Sequence, residues 1–166
     1  LGDVYKRQEK RVVTDSLNNN INITKLKNGD NISLGNFNFL VINSSFTDEN
    51  DASTVLFGMI SSSKLLLMGD ASVRSEQDII NSYNLPKIDI LKVGHHGSNT
   101  SSSKKFINEI NPKYSLISVG ENNRYGHPKK SVLNTLSNSE IYRTDLDGNI
   151  EIEFNNKGYN IRAYSP

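Results

Sequence analysis

The fold is decided by residues 65–100, which read LLLMGDASVRSEQDIINSYNLPKIDILKVGHHGSNT. Two apolar runs, LLLM and IDILKV, each end at a glycine, and polar side chains follow it: Asp70 after the first run, His95 and His96 after the second. Between the runs, SVRSEQDIINSYN places apolar residues among charges, which predicts a helix with Ser72 or Asp70 as its N-cap. The stretch therefore predicts strand, helix and strand, with chemically capable side chains at both strand ends.

The rest of the chain repeats this alternation. Strand-length apolar runs occur at residues 36–43, 53–60, 64–70, 88–93, 113–120, 140–144, 149–154 and 159–164. Helical patterns occur at residues 72–84, 101–110 with a Ser N-cap, and 129–137 after Pro128. Because SSSK at 61–64 predicts a hairpin turn, the first three strands are expected to be antiparallel. The alternation that follows predicts the α/β class.

Segments between these elements are predicted to be turns and loops. The Asn- and Ser-rich residues 14–38 and 43–54 are predicted to be loops. Asp147-Gly148 lies between EIYRT and NIEIEF and is typical of a β-hairpin turn.

Composition limits the class of protein. The 166 residues suffice for one domain with a core, and 35% of them are hydrophobic. A net charge of +1 provides no global attraction for nucleic acid, so polyanion binding would need a local arrangement. The absence of cysteine excludes disulfides and thiolate metal sites. No apolar run reaches the roughly 18 residues that a membrane span needs, and no signal peptide is visible, so we expect a soluble domain.

The first eight residues, LGDVYKRQ, lack an initiator Met and resemble a translated adapter sequence. We therefore expect residues 1–8 to be a non-native leader and residues 9–166 to be a partial domain.

Three successive strands end in polar residues. Asp70 follows KLLLMG, His95 and His96 follow ILKVG, and His127 comes shortly after SLISVG. If these strands are parallel neighbours, the side chains meet at one rim, where open α/β sheets place their sites. Simpler interpretations remain open: Asp70 as a helix cap, and His127 as a turn residue before Pro128.

The segment GHHGSNTSS is harder to explain by structure alone. Glycines on both sides of adjacent imidazoles allow positive φ and the close approach of a ligand, which indicates a metal or an anion. Ser98, Thr100 and the backbone amides at the start of the following helix are candidates for binding phosphate oxygens.

Several motifs together resemble a known family. LLLMGD, IDILKVGHHGSNTSSSKKFI, SLISVGENNRYGHPKKSVLNTL and IYRTDLDGNIEI occur in the order seen in the metallo-β-lactamase-fold domain of ComEC-type competence proteins and their stand-alone relatives. ENDAST at 49–54 also resembles that family, and the match runs from about Asn36 to Phe154. The resemblance implies an αββα sandwich with two metal ions at one edge of its sheets. It also implies that Asp70 bridges the metals and that the HH pair supplies a late histidine ligand.

One departure from the family is decisive. The family's His-x-(His/Asp)-x-Asp-His motif supplies most of the metal ligands from the N-terminal half, and this chain lacks that motif. The resemblance therefore implies the C-terminal half only, with an incomplete metal site. The intact parent is expected to bind two divalent ions, zinc or manganese, since His and carboxylate suit both.

Only one of the two adjacent histidines needs to bind metal, because neighbours on an extended backbone point to opposite sides. We favour His96 as the ligand, with His95 orienting a ligand or contacting substrate, although His95 stays a candidate metal ligand. Asp70, His96 and His127 are the candidate catalytic residues. His127 is predicted to protonate a leaving group or to hold the scissile phosphate.

Substrate contacts are expected from Ser98, Thr100, Arg124 and Tyr125, since Arg pairs with phosphate and Tyr stacks on a base or sugar. Residues 143–145 are expected at the edge of the site. Four lysines lie at predicted helix starts: Lys104, Lys105, Lys129 and Lys130. They are either solvated there or contact the backbone of a bound nucleic-acid strand.

The resemblance implies a metal-dependent phosphodiesterase or nuclease linked to DNA uptake, inactive as the isolated chain. Alternatives are hydrolysis of a phosphorylcholine ester, a thioester or a lactone, and a catalytically silent binding module. Expected partners are DNA or another phosphodiester and a membrane-channel portion of the same parent chain. The parent is expected in the inner membrane, or otherwise in the cytoplasm or outside the cell.

Overall fold

The computed structural model describes residues 11–16, 18–43 and 53–165. The predicted leader and most of ENDAST lie outside these residues. The described elements, in chain order, are α1 (residues 11–16), β1 (Asn31–Leu34), β2 (Phe37–Val41), β3 (Leu56–Ile60), β4 (Ser63–Leu67), α2 (Val73–Ser82), β5 (Ile90–Lys92), a GHHG turn (Gly94–Gly97), α3 (Lys104–Ile110), β6 (Tyr114–Ile117), α4 (Lys130–Thr135), β7 (Glu140–Arg143), α5 (Thr144–Asp147), β8 (Asn149–Asn155) and β9 (Gly158–Tyr164).

Seven strands form one sheet in the order β1-β2-β3-β4-β5-β6-β7. The pairs from β1 to β4 are antiparallel, and the pairs from β4 to β7 are parallel. This change of direction follows from the connections, because a parallel pair needs a crossover and α2, α3 and α4 supply one each. The α/β class is confirmed. The condition for a shared rim also holds, because β4, β5 and β6 are parallel neighbours.

Apolar residues pack on both faces of this sheet. Leu66 and Leu91 belong to a core shared with the helices, whereas Leu65 and Ile90 face the opposite side. This alternation explains why β4 and β5 appear as continuous apolar runs, since strands buried on both faces need apolar side chains at every position.

The second face is covered by the antiparallel pair β8–β9, whose Ile152, Phe154 and Tyr159 pack against it. The described residues therefore form three layers: helices, the large sheet and the two-stranded sheet. These are three of the four layers of the expected αββα sandwich.

The loop prediction for residues 14–38 was wrong in part. Residues 31–34 form β1, which pairs with β2 at the edge of the large sheet, and Ile32 packs into the second core. β1 holds only two apolar side chains, Ile32 and Leu34, and Leu34 is largely exposed. Two alternating apolar residues are too short a signal to predict a strand, so the pairing with β2 decides it.

The hairpin predicted at Asp147-Gly148 was also wrong. β7 pairs with β6 and β8 pairs with β9, so the strands on either side of this dipeptide belong to different sheets. The short helix α5 makes the connection, and an Asp147 carboxylate oxygen accepts a hydrogen bond from the Arg143 backbone N–H at 2.6 Å. The Asp-Gly dipeptide does mark a change of chain direction. It does not show that the strand after it, β8, pairs with β9 and not with β7.

Candidate metal and phosphodiester site

Asp70 leaves the sheet at the turn after β4. Gly69 has φ +53°, and the Asp70 backbone N–H donates to Ser53 Oγ at 3.2 Å. The cap of α2 is Ser72, whose Oγ accepts from the Arg74 N–H at 3.1 Å. The alternative that Asp70 serves as the helix cap is therefore excluded, and its half-exposed carboxylate is left for another role.

The adjacent histidines lie in a tight turn. Their φ/ψ angles are 47°/42° at His95 and 54°/24° at His96, both left-handed. The expected extended backbone was wrong, because two successive left-handed residues reverse the chain directly after β5. The His95 N–H donates to the Gly69 carbonyl at 3.0 Å, which ties the turn to the chain beside Asp70. Such strained backbone, held in place by its surroundings, is typical of functional sites.

His96 faces Asp70. Its Nε2 lies 3.8 Å from Asp70 Oδ1, and both side chains are about half exposed, at 50% and 47%. Its Nδ1 lies 2.6 Å from the carbonyl oxygen of Ser118, which only accepts hydrogen bonds, so Nδ1 carries the proton. In the neutral ring Nε2 then presents a lone pair toward the carboxylate.

Two facing lone-pair donors repel each other unless a cation or a proton lies between them. The 3.8 Å separation is less than twice a typical metal–ligand bond of about 2.0–2.2 Å, so one ion can contact both atoms. A backbone carbonyl that accepts from the second nitrogen is the usual support of a metal-binding histidine. Asp70 and His96 therefore fit two ligand positions of a metal site.

A complete metal site needs more protein ligands than this one pair. Among residues 11–16, 18–43 and 53–165, no group of three or more His, Cys, Asp or Glu side chains is placed to hold a metal ion. This part of the chain brings together one carboxylate and one imidazole. The two-metal centre of the intact parent stays a prediction.

His95 turns to the other side of the loop. Its Nδ1 lies 3.2 Å from Thr100 Oγ1, and its ring packs edge-on against His127 with centroids 6.1 Å apart. Ser98 is buried, and its Oγ lies 3.0 Å from Thr100 Oγ1. These contacts brace the loop, and the substrate roles of Ser98 and Thr100 stay predictions.

The helix start after this loop is already occupied by an internal anion. The Glu76 carboxylate, 1% exposed, accepts the backbone N–H groups of Ser102 and of Ser103, the latter at 2.8 Å. Ser103 caps α3 through its Oγ, as predicted. The amides of Ser102 and Ser103 are therefore not available to a substrate phosphate, because a protein carboxylate satisfies them. Phosphate binding by the rest of the segment stays a prediction. Burial raises the pKa of Glu76, and the bonds from Ser103 and Ser102 lower it in part.

His127 belongs to a loop that Asn123 holds closed. The Asn123 side chain donates to the carbonyls of Gly120 and His127 at 3.1 and 2.7 Å, and accepts from the His127 N–H at 2.9 Å. The rings of His127 and Tyr125 are stacked at 5.8 Å. Burial, Lys129 and the two other histidines lower the pKa of His127, which favours the neutral form of its ring.

Two cations lie beside Tyr125. The Arg124 guanidinium lies 4.8 Å from the centre of the Tyr125 ring, and the Lys129 ammonium donates to the Tyr125 carbonyl at 2.7 Å. At the end of β5, burial lowers the pKa of Lys92, and the charge of Asp70 opposes this shift in part. The site thus has local positive charge although the net charge is only +1.

An open cavity of about 380 Å³ adjoins His96. Its lining residues come from the end of β6, the loop before α4 and the start of α5: His96, Ser118, Val119, Gly120, Asn123, Tyr125, His127 and Thr144. Of the predicted edge residues 143–145, Thr144 reaches the cavity, whereas Arg143 pairs with Asp145 at 2.6 Å.

The histidine turn packs directly on the loop that carries His127. Gly97 has φ +79°, a Cβ there would lie 2.6 Å from Pro128 Cβ, and the Gly97 carbonyl accepts from the Lys129 N–H at 2.9 Å. We expect Gly97→Ala to lower the free energy of unfolding by about 2–4 kcal/mol, because both the left-handed φ and the overlap oppose a methyl group. Urea denaturation followed by circular dichroism measures this loss.

Gly29→Ala is the matched control for Gly97→Ala. Gly29 has φ +88°, but a Cβ there meets no atom within 4 Å. It should cost only the conformational part, about 1–2 kcal/mol. Equal losses in the two variants would contradict the predicted contact with Pro128.

Comparison of the amino-acid sequence with known proteins places this chain in a family. The chain is 33% identical over 170 residues to ComE operon protein 3 of Bacillus subtilis (strain 168), an alignment that covers 99% of this chain and 22% of that protein. This chain belongs to the ComEC-type competence protein family. The assignment confirms the resemblance to this family that the sequence motifs predicted.

Two further relatives match a shorter part of this chain. Competence protein ComA of Neisseria gonorrhoeae is 38% identical over 108 residues, which is 63% of this chain and 16% of that protein. Recombination protein 2 of Haemophilus influenzae (strain ATCC 51907 / DSM 11121 / KW20 / Rd) is 35% identical over 108 residues, which is 64% of this chain and 14% of that protein. The chain thus spans about a fifth or less of the length of these relatives.

Among solved structures, the metallo-β-lactamase fold protein YhfI of Bacillus subtilis is similar over 72% of the ComEC-type chain and 52% of YhfI, with a TM-score of 0.47 and 14% identity. No protein-family model matches the chain. None of the helices in the described residues combines the length and apolar character that crossing a bilayer requires.

Sequence reasoning missed three residues that shape this candidate site: Glu76, Ser118 and Asn123. Glu76 left a signal, since it is a carboxylate three positions before the buried Ile79, on the apolar face of a helix. Ser118 acts through its backbone carbonyl, which no side-chain pattern reveals.

Proposed function

We propose that this segment contributes Asp70 and His96 to the metal centre of a phosphodiesterase that cleaves DNA during uptake. The observation that supports this most is the pair itself: Asp70 Oδ1 and His96 Nε2 lie 3.8 Å apart, with the His96 Nδ1 proton bound by the Ser118 carbonyl. An acid that can bridge two ions and a neutral imidazole suit such a centre.

Two bound divalent ions, zinc or manganese, would supply hydroxide near neutral pH and neutralise charge on the phosphate and the leaving oxygen. The side chains of this chain hold the ligands and the substrate in place. His96 keeps its orientation through Ser118, and the His95 N–H anchors the turn on Gly69. His95 thereby supports the turn, and we assign the metal-ligand role to His96.

His127 and its neighbours face the substrate side of the site. His127 lines the cavity beside His96, and its neutral ring can donate a hydrogen bond to a phosphate oxygen or accept a proton. The cations Arg124 and Lys129 attract a phosphodiester locally, which a protein of net charge +1 needs in order to bind a polyanion.

The link to DNA rests on the relatives, which are named as competence and recombination proteins. We propose that the substrate is DNA entering the cell. The remaining length of the parent protein, including the membrane-channel portion that the family resemblance implies, would then be the partner of this segment.

The isolated 166-residue chain is expected to bind metal weakly and to show little or no cleavage, because its described residues offer two ligands. Metal content by atomic emission and hydrolysis of bis(p-nitrophenyl) phosphate with Mn²⁺, Zn²⁺ or EDTA measure both properties. Two tightly held ions with robust turnover would contradict this expectation.

The same assays on a full-length family member that includes this segment test the function itself. Metal-dependent cleavage of labelled DNA, abolished by EDTA, is the expected result. Hydrolysis of a thioester, a lactone or phosphorylcholine esters without any DNA cleavage would overturn the proposal. Absence of hydrolysis of every substrate, with DNA still bound, would instead support a silent binding module.

A further inference from the structure

We propose that the cavity beside His96 binds a single nucleoside of an unpaired substrate strand, adjacent to the phosphate at Asp70 and His96. This inference rests on the proposed function, since that function places the phosphate at the Asp70–His96 pair. It adds a substrate class: nucleic acid with unpaired bases at the site of cleavage.

The size of the cavity suits one nucleoside. Its volume of about 380 Å³ lies at the lower end of the roughly 300–1,000 Å³ typical of small-molecule pockets. Two aromatic side chains, Tyr125 and His127, line the cavity, and their rings are stacked with 17° between their planes. Aromatic surfaces bind nucleobases without regard to sequence, because every base has a π-face.

The walls of the cavity are formed before any ligand arrives. Thr144 Oγ1 accepts from the Val119 N–H at 2.8 Å and donates to the Val119 carbonyl at 2.7 Å, which fixes the wall opposite the loop. The three hydrogen bonds of Asn123 fix the loop itself. A pre-formed pocket avoids the entropy cost of ordering its walls on binding.

The charges around the cavity favour binding of a nucleotide over binding of phosphorylcholine, the alternative ligand. A quaternary ammonium would need an aromatic face free of competing cations. Here the Arg124 guanidinium already lies 4.8 Å from the Tyr125 ring centre, and the Lys129 ammonium is bound to the Tyr125 carbonyl. These two positive charges oppose a cationic ligand and favour a neutral base joined to an anionic phosphate.

The pocket also implies that the substrate is unpaired at the site of cleavage. A base inside a duplex is stacked on both faces and paired along one edge, so it must leave the helix before it enters a lined cavity. Unpaired bases enter without that cost. The substrate strand is therefore single-stranded, or frayed at an end, at this point.

The three histidines of the chain make a direct binding test possible without metal or turnover. Ring ¹H–¹³C NMR signals are followed while thymidine, thymidine monophosphate, inorganic phosphate or phosphorylcholine is added. The signals of His96 and His127, which line the cavity, should shift with thymidine and with its monophosphate. The signal of His95, which is not among the lining residues, should move less.

Two variants probe the pocket from different walls. Tyr125→Ala removes the aromatic face, and Gly120→Leu adds bulk at a position where a Cβ meets no atom within 4 Å and φ is not left-handed. Each should weaken binding of thymidine monophosphate about tenfold, within the usual effect of losing one base-stacking contact. Tyr164→Ala, which removes another exposed tyrosine on β9, is the control and should leave affinity unchanged.

The outcomes separate this inference from the proposed function. If phosphate alone shifts the signals as much as the nucleotide while thymidine has no effect, or if phosphorylcholine binds more tightly, the nucleoside pocket is overturned. DNA cleavage that persists in the full-length protein would then leave the proposed function intact. Thymidine binding in a family member that cleaves no DNA would overturn the function and keep the pocket.

Discussion

Replacing Asp70 by Asn is expected to lower metal-dependent DNA cleavage by a full-length family member at least about a hundredfold, with the fold intact. Loss of an outer partner of a metal ligand typically costs 10–100-fold, and loss of a ligand costs more. The Asp70 side chain is 47% exposed, so the change should alter stability by less than about 0.5 kcal/mol. Cleavage rates with Mn²⁺ and urea denaturation measure the two effects.

The same substitution can be examined in this chain by metal binding alone. Paramagnetic Mn²⁺ should broaden the ring signals of His96 before those of the other histidines, and Asp70→Asn should raise the Mn²⁺ concentration needed. Glu121→Gln removes an exposed carboxylate from the loop after β6 and is the control. If Asp70→Asn and Glu121→Gln behave alike, Asp70 is not a ligand.

Replacing Glu76 by Ala is expected to lower the free energy of unfolding by about 3–5 kcal/mol. The change leaves the N–H groups of Ser102 and Ser103 without their carboxylate in a buried loop, and each unsatisfied donor costs about 1–3 kcal/mol. The space left by a side chain that is 1% exposed adds a further cost. Urea denaturation measures the loss directly.

Glu109→Ala is the control for Glu76→Ala. It removes a carboxylate of the same charge from an exposed position on α3 and should change stability by less than about 0.5 kcal/mol. A similar small loss in Glu76→Ala would show that solvent replaces its hydrogen bonds, and the loop would not depend on it.

Much of the fold could be predicted because its signals are local. Apolar runs, the Ser72 cap and the SSSK turn each act within a few residues, and all of them are present in the structure. The end of β4 and the end of β5 were therefore placed correctly, with Asp70 after one and the histidines after the other. The metal-ligand role of His96 stays a prediction. In the structure His96 faces Asp70 and His95 contacts Thr100, although the backbone of the pair is left-handed and not extended.

The predictions that failed depended on contacts between distant parts of the chain. Asp147-Gly148 has the local preference for a reversal, but pairing of β7 with β6 and of β8 with β9 decides that no hairpin forms there. Likewise, the amides at the start of α3 are available to an anion in principle. Glu76, 26 residues before Ser102, occupies them first.

The amino-acid sequence by itself determined the order of strands β2 to β9 and of helices α2 to α4, and the chemical groups at the strand ends, because hydrophobic periodicity and capping are properties of neighbouring residues. Only the tertiary structure decided which imidazole faces the carboxylate. That choice depends on two left-handed residues held by the Gly69 and Ser118 carbonyls, groups that lie 26 and 22 positions away and become neighbours only when β4, β5 and β6 align.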